Sequence, residues 1–346
     1  MDDISLQQQV LNALENKAPL RIASGGSKAF LGQHVTGTPV DLQTHTGIIE
    51  YDPRELVLTA RSGTKLSEVE KALADAGQML AFEPPHFGAG ATLGGTISTG
   101  LSGPRRPYSG SARDFVLGCK MLNGRGEIAS FGGQVMKNVA GYDVSRLLAG
   151  SHGTLGILLE ISLKVLPIPA SSITVSRECS QEDAIPIMNE FLSKPYPVDG
   201  ACHDGERVHV RISGSEQAVK EARNKIPGEI LPDAELFWHG LREQTLPFFN
   251  RPGTLYRIAV KPATRPLHLD GHWLLDWGGA QRWLYSEEDA ATIRHQAGLA
   301  GGHVTAFRNG SNSTPLPPSL LALHRRLKAS FDPEDIFNRG HLFATL

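Results

Sequence analysis

The chain has 346 residues, 40% of them apolar, with 34 lysines and arginines against 36 acidic residues. That length supports a full core and either two domains or one with a large insertion, and the balanced charge, gathered in no long block, excludes the electrostatic footprint of a nucleic-acid or anionic-membrane binder. Cys119, Cys179 and Cys202 lie far apart without a Cys-x-x-Cys pair, and the 13 histidines contain no His-Glu-x-x-His, so a disulfide framework and a four-cysteine metal or iron–sulfur site are excluded and no metal is expected.

The opening "MDDISLQQQVLNALENK" is acidic and amphipathic, without the basic and apolar regions of a signal peptide. No apolar run reaches the roughly 18 residues of a membrane span, so a cytoplasmic protein without a transmembrane segment is expected. A helix over about Ile4 to Glu15 leads through Pro19 into the strand "LRIA" and a small-residue loop, "SGGSKAFLG". "ELVLTARSG" reads as a buried strand. "KLSEVEKALADAGQ" reads as a helix with Leu66, Val69, Leu73 and Ala76 on one face and Gly77 at its stop. "MLAFEP" then resumes an extended run, which predicts a β-α-β unit.

"GAGATLGGTISTG", Gly88 to Gly100, nearly has the glycine spacing of a dinucleotide fingerprint. That fingerprint needs a central strand before it and a helix after it, whereas "FEPPHF" precedes it and the β-branched "TISTG" follows. With no Gly-x-x-x-x-Gly-Lys-Ser/Thr loop either, a nicotinamide site and a P-loop both lose their support. "SGGSKAFLG", "GAGATLGGTISTG" and "GSHGTLGI" are three glycine-rich loops that suggest a long ligand, its pyrophosphate held by backbone N–H groups.

Further on, "DFVLGCKMLNGRGEIASFG" reads as a hairpin turning at "NGRG", and "VAGYDVSRLLAGSHGTLGILLEISLKVLPIP" as helix, glycine turn and long strand. From about Ala170 the segments "GERVHVRISG", "SEQAVKEARNKI", "LYRIAVKP" and "HWLLDWGGAQRWLY" suggest a second α+β unit with antiparallel strands. The tail "PPSLLALHRRLKASFDPEDIFNRGHL" holds one more helix and a coil.

The segments "ATLGGTISTGLSGPRRPYSGSARDFVLG", "VMKNVAGYDVSRLLAGSHGTLGILLEISLKVLP", "LDWGGAQRWL" and "FDPEDIFNRG" together resemble the vanillyl-alcohol-oxidase, or PCMH, type of FAD-binding protein, and within it the smaller flavin subunits of bacterial glycolate oxidases. The resemblance implies an α+β fold of three parts. An FAD-binding domain of two subdomains spans residues 1–170, an α+β cap spans 171–310, and the C-terminal segment 311–346 packs back on the first domain. It further implies one FAD held by three loops. Ser24, Gly25, Gly26, Ser27 and Lys28 form the first pyrophosphate loop, and Thr92, Leu93, Gly94, Gly95, Ser98 and Gly100 the second, with Ser109 and Gly110 continuing towards the flavin. Gly153, Gly156 and Ile157 supply backbone groups. Ser27 and Lys28 stand where some relatives attach the flavin to a histidine, so the FAD is expected to be noncovalent unless His86 or His152 carries it. Asn338-Arg339-Gly340 replaces the Asn-Pro-Gly of many relatives.

Candidates for contact with substrate are Arg105 and Arg106, whose guanidiniums suit a carboxylate, and Trp277 and Arg282 with Trp283 on the "DWGGAQRW" strand; the alternatives are solvated arginines and ordinary core packing. Tyr142 and Asp143 are expected to cap a helix. The function implied is an accessory FAD subunit of a complex oxidising a small 2-hydroxy acid, glycolate, together with a larger homologous flavin subunit and an iron–sulfur subunit. The alternatives are a self-sufficient FAD-dependent 2-hydroxy-acid dehydrogenase and a non-catalytic assembly subunit with a structural flavin.

Overall fold

The structure is a computed structural model that describes residues 1–133, 143–310 and 316–343. The chain forms two compact units: unit 1 takes Met1–Ser102, Gly110–Ile168 and Ser313–Leu346, and unit 2 takes Gly103–Ser109 and Pro169–Asn312.

Unit 1 opens with α1 (Asp3–Glu15), the parallel pair β1 (Leu20–Ala23) and β2 (Thr38–Asp41), then β3 (Ile48–Asp52) and β4 (Val57–Arg61). Next come α2 (Leu66–Asp75), the two-residue β5 (Gln78–Met79) and α3 (Leu93–Thr99). A short α4 (Arg106–Ser109) lies in unit 2. Then α5 (Ala112–Phe115), β6 (Val116–Leu122), β7 (Ile128–Gly132), α6 (Val144–Leu148), β8 (Ile157–Lys164) and β9 (Leu166–Pro167) return to unit 1. The main sheet is antiparallel in the order β3-β4-β8-β6-β7. The apolar face of α2 supplies Leu66, Val69 and Leu73 to a core shared with Leu58, Phe82, Leu93, Ile97 and Met121. Ala76, expected on that face, is the exposed C-cap residue, and Gly77 stops the helix at φ +68°.

Two sequence expectations need correction. β5 does not complete a β-α-β unit: it pairs antiparallel with β9 in a sheet of its own, because the chain turns away at Leu80–Glu83 towards the prolines. The stretch "LGGTIST" is helical despite its β-branched residues. Thr92 caps α3 by accepting the Gly95 N–H at 3.2 Å, Leu93 and Ile97 are buried, and Gly100 ends the helix in the left-handed region. The dinucleotide fingerprint still fails, since no strand leads into the loop.

Unit 2 contains β10 (Ser171–Glu178), α7 (Gln181–Leu192), β11 (Val198–His203), β12 (Arg207–Gly214), α8 (Glu216–Arg223), β13 (Glu229–Ile230), α9 (Ala234–Glu243), β14 (Leu255–Ala259), β15 (His272–Asp276), β16 (Gln281–Tyr285), α10 (Ala290–Leu299) and β17 (His303–Arg308). Its antiparallel sheet of eight runs β13-β10-β12-β11-β15-β16-β14-β17. Apolar residues of α7 and α8 cover one part of it and those of α10 another.

The chain then returns to unit 1 as α11 (Pro318–Phe331) and a tail fastened by one buried charge. The Lys328 ammonium pairs with Asp332 at 2.6 Å and donates to the carbonyls of Thr154 and Phe337. Each of its N–H bonds therefore meets an oxygen on a different segment, and the charge is compensated where it is buried.

Candidate functional site: a glycine-walled cavity and an arginine–tryptophan cluster

Unit 1 holds a cavity of about 670 Å³, a size typical of small-molecule sites. Of the sequence-predicted residues, Ser24, Gly25, Gly26, Ser27, Lys28, Thr92, Gly94, Gly95, Ser98, Gly153 and Gly156 line it. Leu93, Gly100 and Ile157 do not. Leu93 and Ile157 point into the apolar core, and Gly100 is the helix stop. Ser109 belongs to unit 2, where its hydroxyl donates to Arg105 O, and Gly110 packs on Asp114 and Phe115. The sequence reading missed Arg21, Gln33, Asn338 and His341 as wall residues; His152, raised there only as a possible point of FAD attachment, is also in the wall.

The two glycine loops meet backbone to backbone. A Cβ on Gly25 would lie 1.4 Å from Gly90 O, and one on Gly94 would lie 2.6 Å from Ser62 Cβ. Gly25 is thus required by packing against the second loop and Gly94 by packing against Ser62 just after β4, and both also line the cavity. Gly26 differs: at φ +71° its missing side chain would meet nothing within 4 Å, so its bare backbone faces the cavity it lines.

Among the described residues, the wall carries the arginine and lysine side chains of Arg21 and Lys28 and no aspartate or glutamate. Lys28 is buried and its ammonium donates to His86 O at 3.3 Å. A cavity with exposed glycine backbone, hydroxyls from Ser24, Thr92 and Ser98, two cations and no carboxylate suits a phosphate-bearing cofactor.

His152 stands in the wall at φ +53°, its ring 5.4 Å from that of His341. Burial, with His341 adding to it, pushes the His152 imidazole down to about 4, against an ordinary value near 6.5. Such a group binds protons more readily in the unfolded chain. Its neutral form is fully compatible with folding above pH 6.5, and stability is lost as pH falls from there towards 4. The thermal midpoint of the protein is therefore expected to fall more steeply over that interval than that of His152→Gln, and parallel slopes would refute the assignment.

Unit 2 carries the other predicted residues. Arg105 is held by Asp199 at 2.7 Å, and Asp199 also pairs with Arg211 at 2.8 Å, so Arg105 is fixed inside a buried ion-pair network. The Arg106 guanidinium lies 4.4 Å from the Trp277 ring, and Arg257, which the sequence reading did not single out, lies 5.1 Å from the same ring. Burial, and then the charge of Arg106, lower Arg257 to about 10. Its Nε donates to Gln281 Oε1 at 2.6 Å, and Gln281 in turn donates to Asp276. Trp277 sits not on a strand but in the turn between β15 and β16, at φ +54°, with its indole N–H donating to Gly103 O at 3.0 Å.

Arg282 proves to be a structural clamp. It is fully buried and donates to the carbonyls of Gly279, Arg265 and Thr264. Arg282→Met should destabilise unit 2 by about 3–5 kcal/mol through orphaned carbonyls and lost packing. A chemical-denaturation midpoint equal to wild type would contradict this. Asp143 caps α6 by accepting the Arg146 N–H, while Tyr142 lies outside the described residues. The "VMKNVAGY" part of the resemblance also falls there.

One chemical constellation was invisible in sequence. Ser176 Oγ lies 2.6 Å from His209 Nδ1, and His209 Nε2 lies 2.9 Å from Asp204 Oδ2. Burial alone would raise Asp204, but the bonds from His209 and two backbone N–H groups hold it at about 2. Ser176 and His209 are each 2% exposed and Phe237 packs 4.2 Å from the imidazole, so no acyl substrate reaches the hydroxyl. The relay fastens the sheet. Among the described residues, no group of three histidine, cysteine or acidic side chains is placed to hold a metal.

The family model described as an FAD binding domain matches residues 5–132. The chain is 49% identical to glycolate oxidase subunit GlcE of Escherichia coli over 99% of its own length and 97% of that protein. It is 32% identical to glycolate oxidase subunit GlcD of Bacillus subtilis, covering 86% of this chain and 77% of that one. Among solved structures it superposes on alkyldihydroxyacetonephosphate synthase with a TM-score of 0.67 at 15% identity, over 96% of this chain and 73% of that one, which supports the fold alone. The chain belongs to the family of glycolate oxidase subunit GlcE, and its residues 5–132 match an FAD-binding domain.

Proposed function

We propose that this chain is the FAD-binding subunit of a glycolate-oxidising complex, in which glycolate loses two electrons and two protons to give glyoxylate. The observation that carries the reading is the glycine-walled cavity of unit 1, whose described lining offers exposed backbone, hydroxyls and two cations and no carboxylate. When bound, FAD supplies the acceptor for the hydride that leaves C2 of the hydroxy acid. The FAD is noncovalent. Ser24, Gly25, Gly26, Ser27, Lys28, Thr92, Gly94, Gly95 and Ser98 hold the pyrophosphate region, with Lys28 and Arg21 offsetting its charge, and Gly153 and Gly156 offer backbone contacts.

In unit 2, Arg106 and Arg257 take the substrate carboxylate. Two guanidiniums against one indole repel each other, Asp276 offsets part of that repulsion at Arg257, and a carboxylate shared between the two arginines offsets more of it, with Trp277 as the apolar wall behind them. Electrons leave through partners, a larger homologous flavin subunit and an iron–sulfur subunit. Cys119 lies in unit 1 while Cys179 and Cys202 lie in unit 2, so three dispersed thiols give the chain no cluster of its own. Among the described residues, no helix is long and apolar enough to cross a membrane. We place the protein in the cytoplasm, where the complex can meet the inner membrane peripherally.

The test is the flavin spectrum of the purified, FAD-loaded chain before and after anaerobic glycolate, followed by dye reduction alone and with both partners added. Turnover only in the reconstituted complex is expected. Full turnover by the lone chain would make it a self-sufficient dehydrogenase, and a colourless chain that supports turnover would make it an assembly subunit.

A further inference from the structure

The last described residues of the chain are part of the cavity. Leu20 N donates to Ile336 O at 2.7 Å and Asn338 N donates to Leu20 O at 3.0 Å, so the tail runs parallel beside the start of β1. Asn338 is 6% exposed and adopts φ +41°. Its amide is used at both ends: Oδ1 accepts the Ile22 N–H at 2.8 Å and Nδ2 donates to His152 O at 2.8 Å. One side chain therefore spans the strand that leads into the first glycine loop and the turn that carries His152 and Gly153. That turn is shaped to receive it, since a Cβ on Gly153 would lie 2.8 Å from Asn338 Nδ2.

Three residues on, His341 Nδ1 donates to Gln33 O and Gln33 N donates to His341 O, both at 2.7 Å. Ile22, Gln33, His152, Asn338 and His341 all line the cavity. Behind them, Lys328 fixes both sides of the junction through Thr154 O and Phe337 O.

We propose that the segment Ile336–His341 is a third wall of the FAD cavity, and that Asn338 is the positioning residue that sets the spacing between the first glycine loop and the His152–Gly153 turn. This rests on the FAD reading of the cavity and goes beyond the loops assigned to the cofactor above. Only a neutral amide serves both ends. An aspartate keeps the acceptor for Ile22 but turns an oxygen onto His152 O, and an alanine leaves both backbone groups unmet inside the wall.

The experiment titrates the apo forms of wild type, Asn338→Asp and His341→Ala with FAD. It follows flavin fluorescence, the fine structure of the 450 nm band, and the thermal midpoint with and without FAD. His341→Ala opens the wall while leaving the Asn338 amide bonds intact, so the inference stays testable if Asn338→Asp folds poorly. The expected result is about a tenfold or greater loss of FAD affinity in each soluble variant, with an altered flavin band and a smaller gain in midpoint on adding FAD. Variants that bind FAD as tightly as wild type with the same spectrum, even at a lowered apo midpoint, would reduce the tail to a structural fastening and overturn the proposal. A wild-type chain that binds no FAD would overturn the reading of the cavity itself, a separate outcome.

Discussion

Gly25→Ala should give a polypeptide that retains almost no flavin. The added methyl would lie 1.4 Å from Gly90 O and 2.4 Å from the carbonyl carbon, so the first two loops of the cavity must move apart as backbone, with no flexible side chain to yield. Overpacking against fixed backbone costs about 3 kcal/mol or more, and here the displacement falls on the two loops assigned to the pyrophosphate. The check is the ratio of flavin to protein absorbance after desalting. Gly77→Ala is the control, because its Cβ would meet nothing within 4 Å, even though Gly77, unlike Gly25, has positive φ. That variant should stay yellow with a penalty of only about 1 kcal/mol. A fully yellow Gly25→Ala would show that the loops do not hold the cofactor.

Arg257→Lys should leave flavin content unchanged and lower kcat/KM of the reconstituted complex for glycolate. A bidentate guanidinium–carboxylate contact replaced by a point charge loses about 2–5 kcal/mol, or roughly thirty- to several-thousand-fold. Arg106→Lys is expected to follow the same pattern, whereas Arg105→Lys should act mainly on stability, since Arg105 is committed to Asp199. Unchanged kcat/KM in the Arg106 and Arg257 variants would remove the substrate role of this cluster.

Local chemistry made part of this protein legible from sequence. Asn123 to Gly126 turn the β6–β7 hairpin as "NGRG" predicts, and the face of α2 follows its apolar period through Leu66, Val69 and Leu73. The glycine loops could be found because small residues cluster where backbones meet. The helix over Leu93–Thr99 was hidden because the cap of Thr92 and the burial of Leu93 and Ile97 outweigh the β-branched propensity of Thr96, Ile97 and Thr99. Arg257 was missed for a different reason. In "LYRIAVKP" it is one polar residue on a strand, and its significance arises only when the fold brings Arg106 and Trp277 against it from 151 and 20 residues away. Asn338 likewise reads as a departure within a tail motif until Ile22 and His152, distant in sequence by 316 and 186 residues, close around it.

The pairing of Leu20 with Ile336 and Asn338 joins the first fifteenth of the chain to its last residues, and that sets an order of events during synthesis. Ribosomes deliver roughly 5–20 residues per second, N-terminus first, so β1 and the first glycine loop wait for almost the entire polypeptide before the strand beside them exists. Nascent chains can fold the antiparallel sheet of unit 2 while the cradle of unit 1 is still open. The cradle can therefore close only after Ile336–Asn338 has been made, and a chain cut before Ile336 is expected to load flavin poorly.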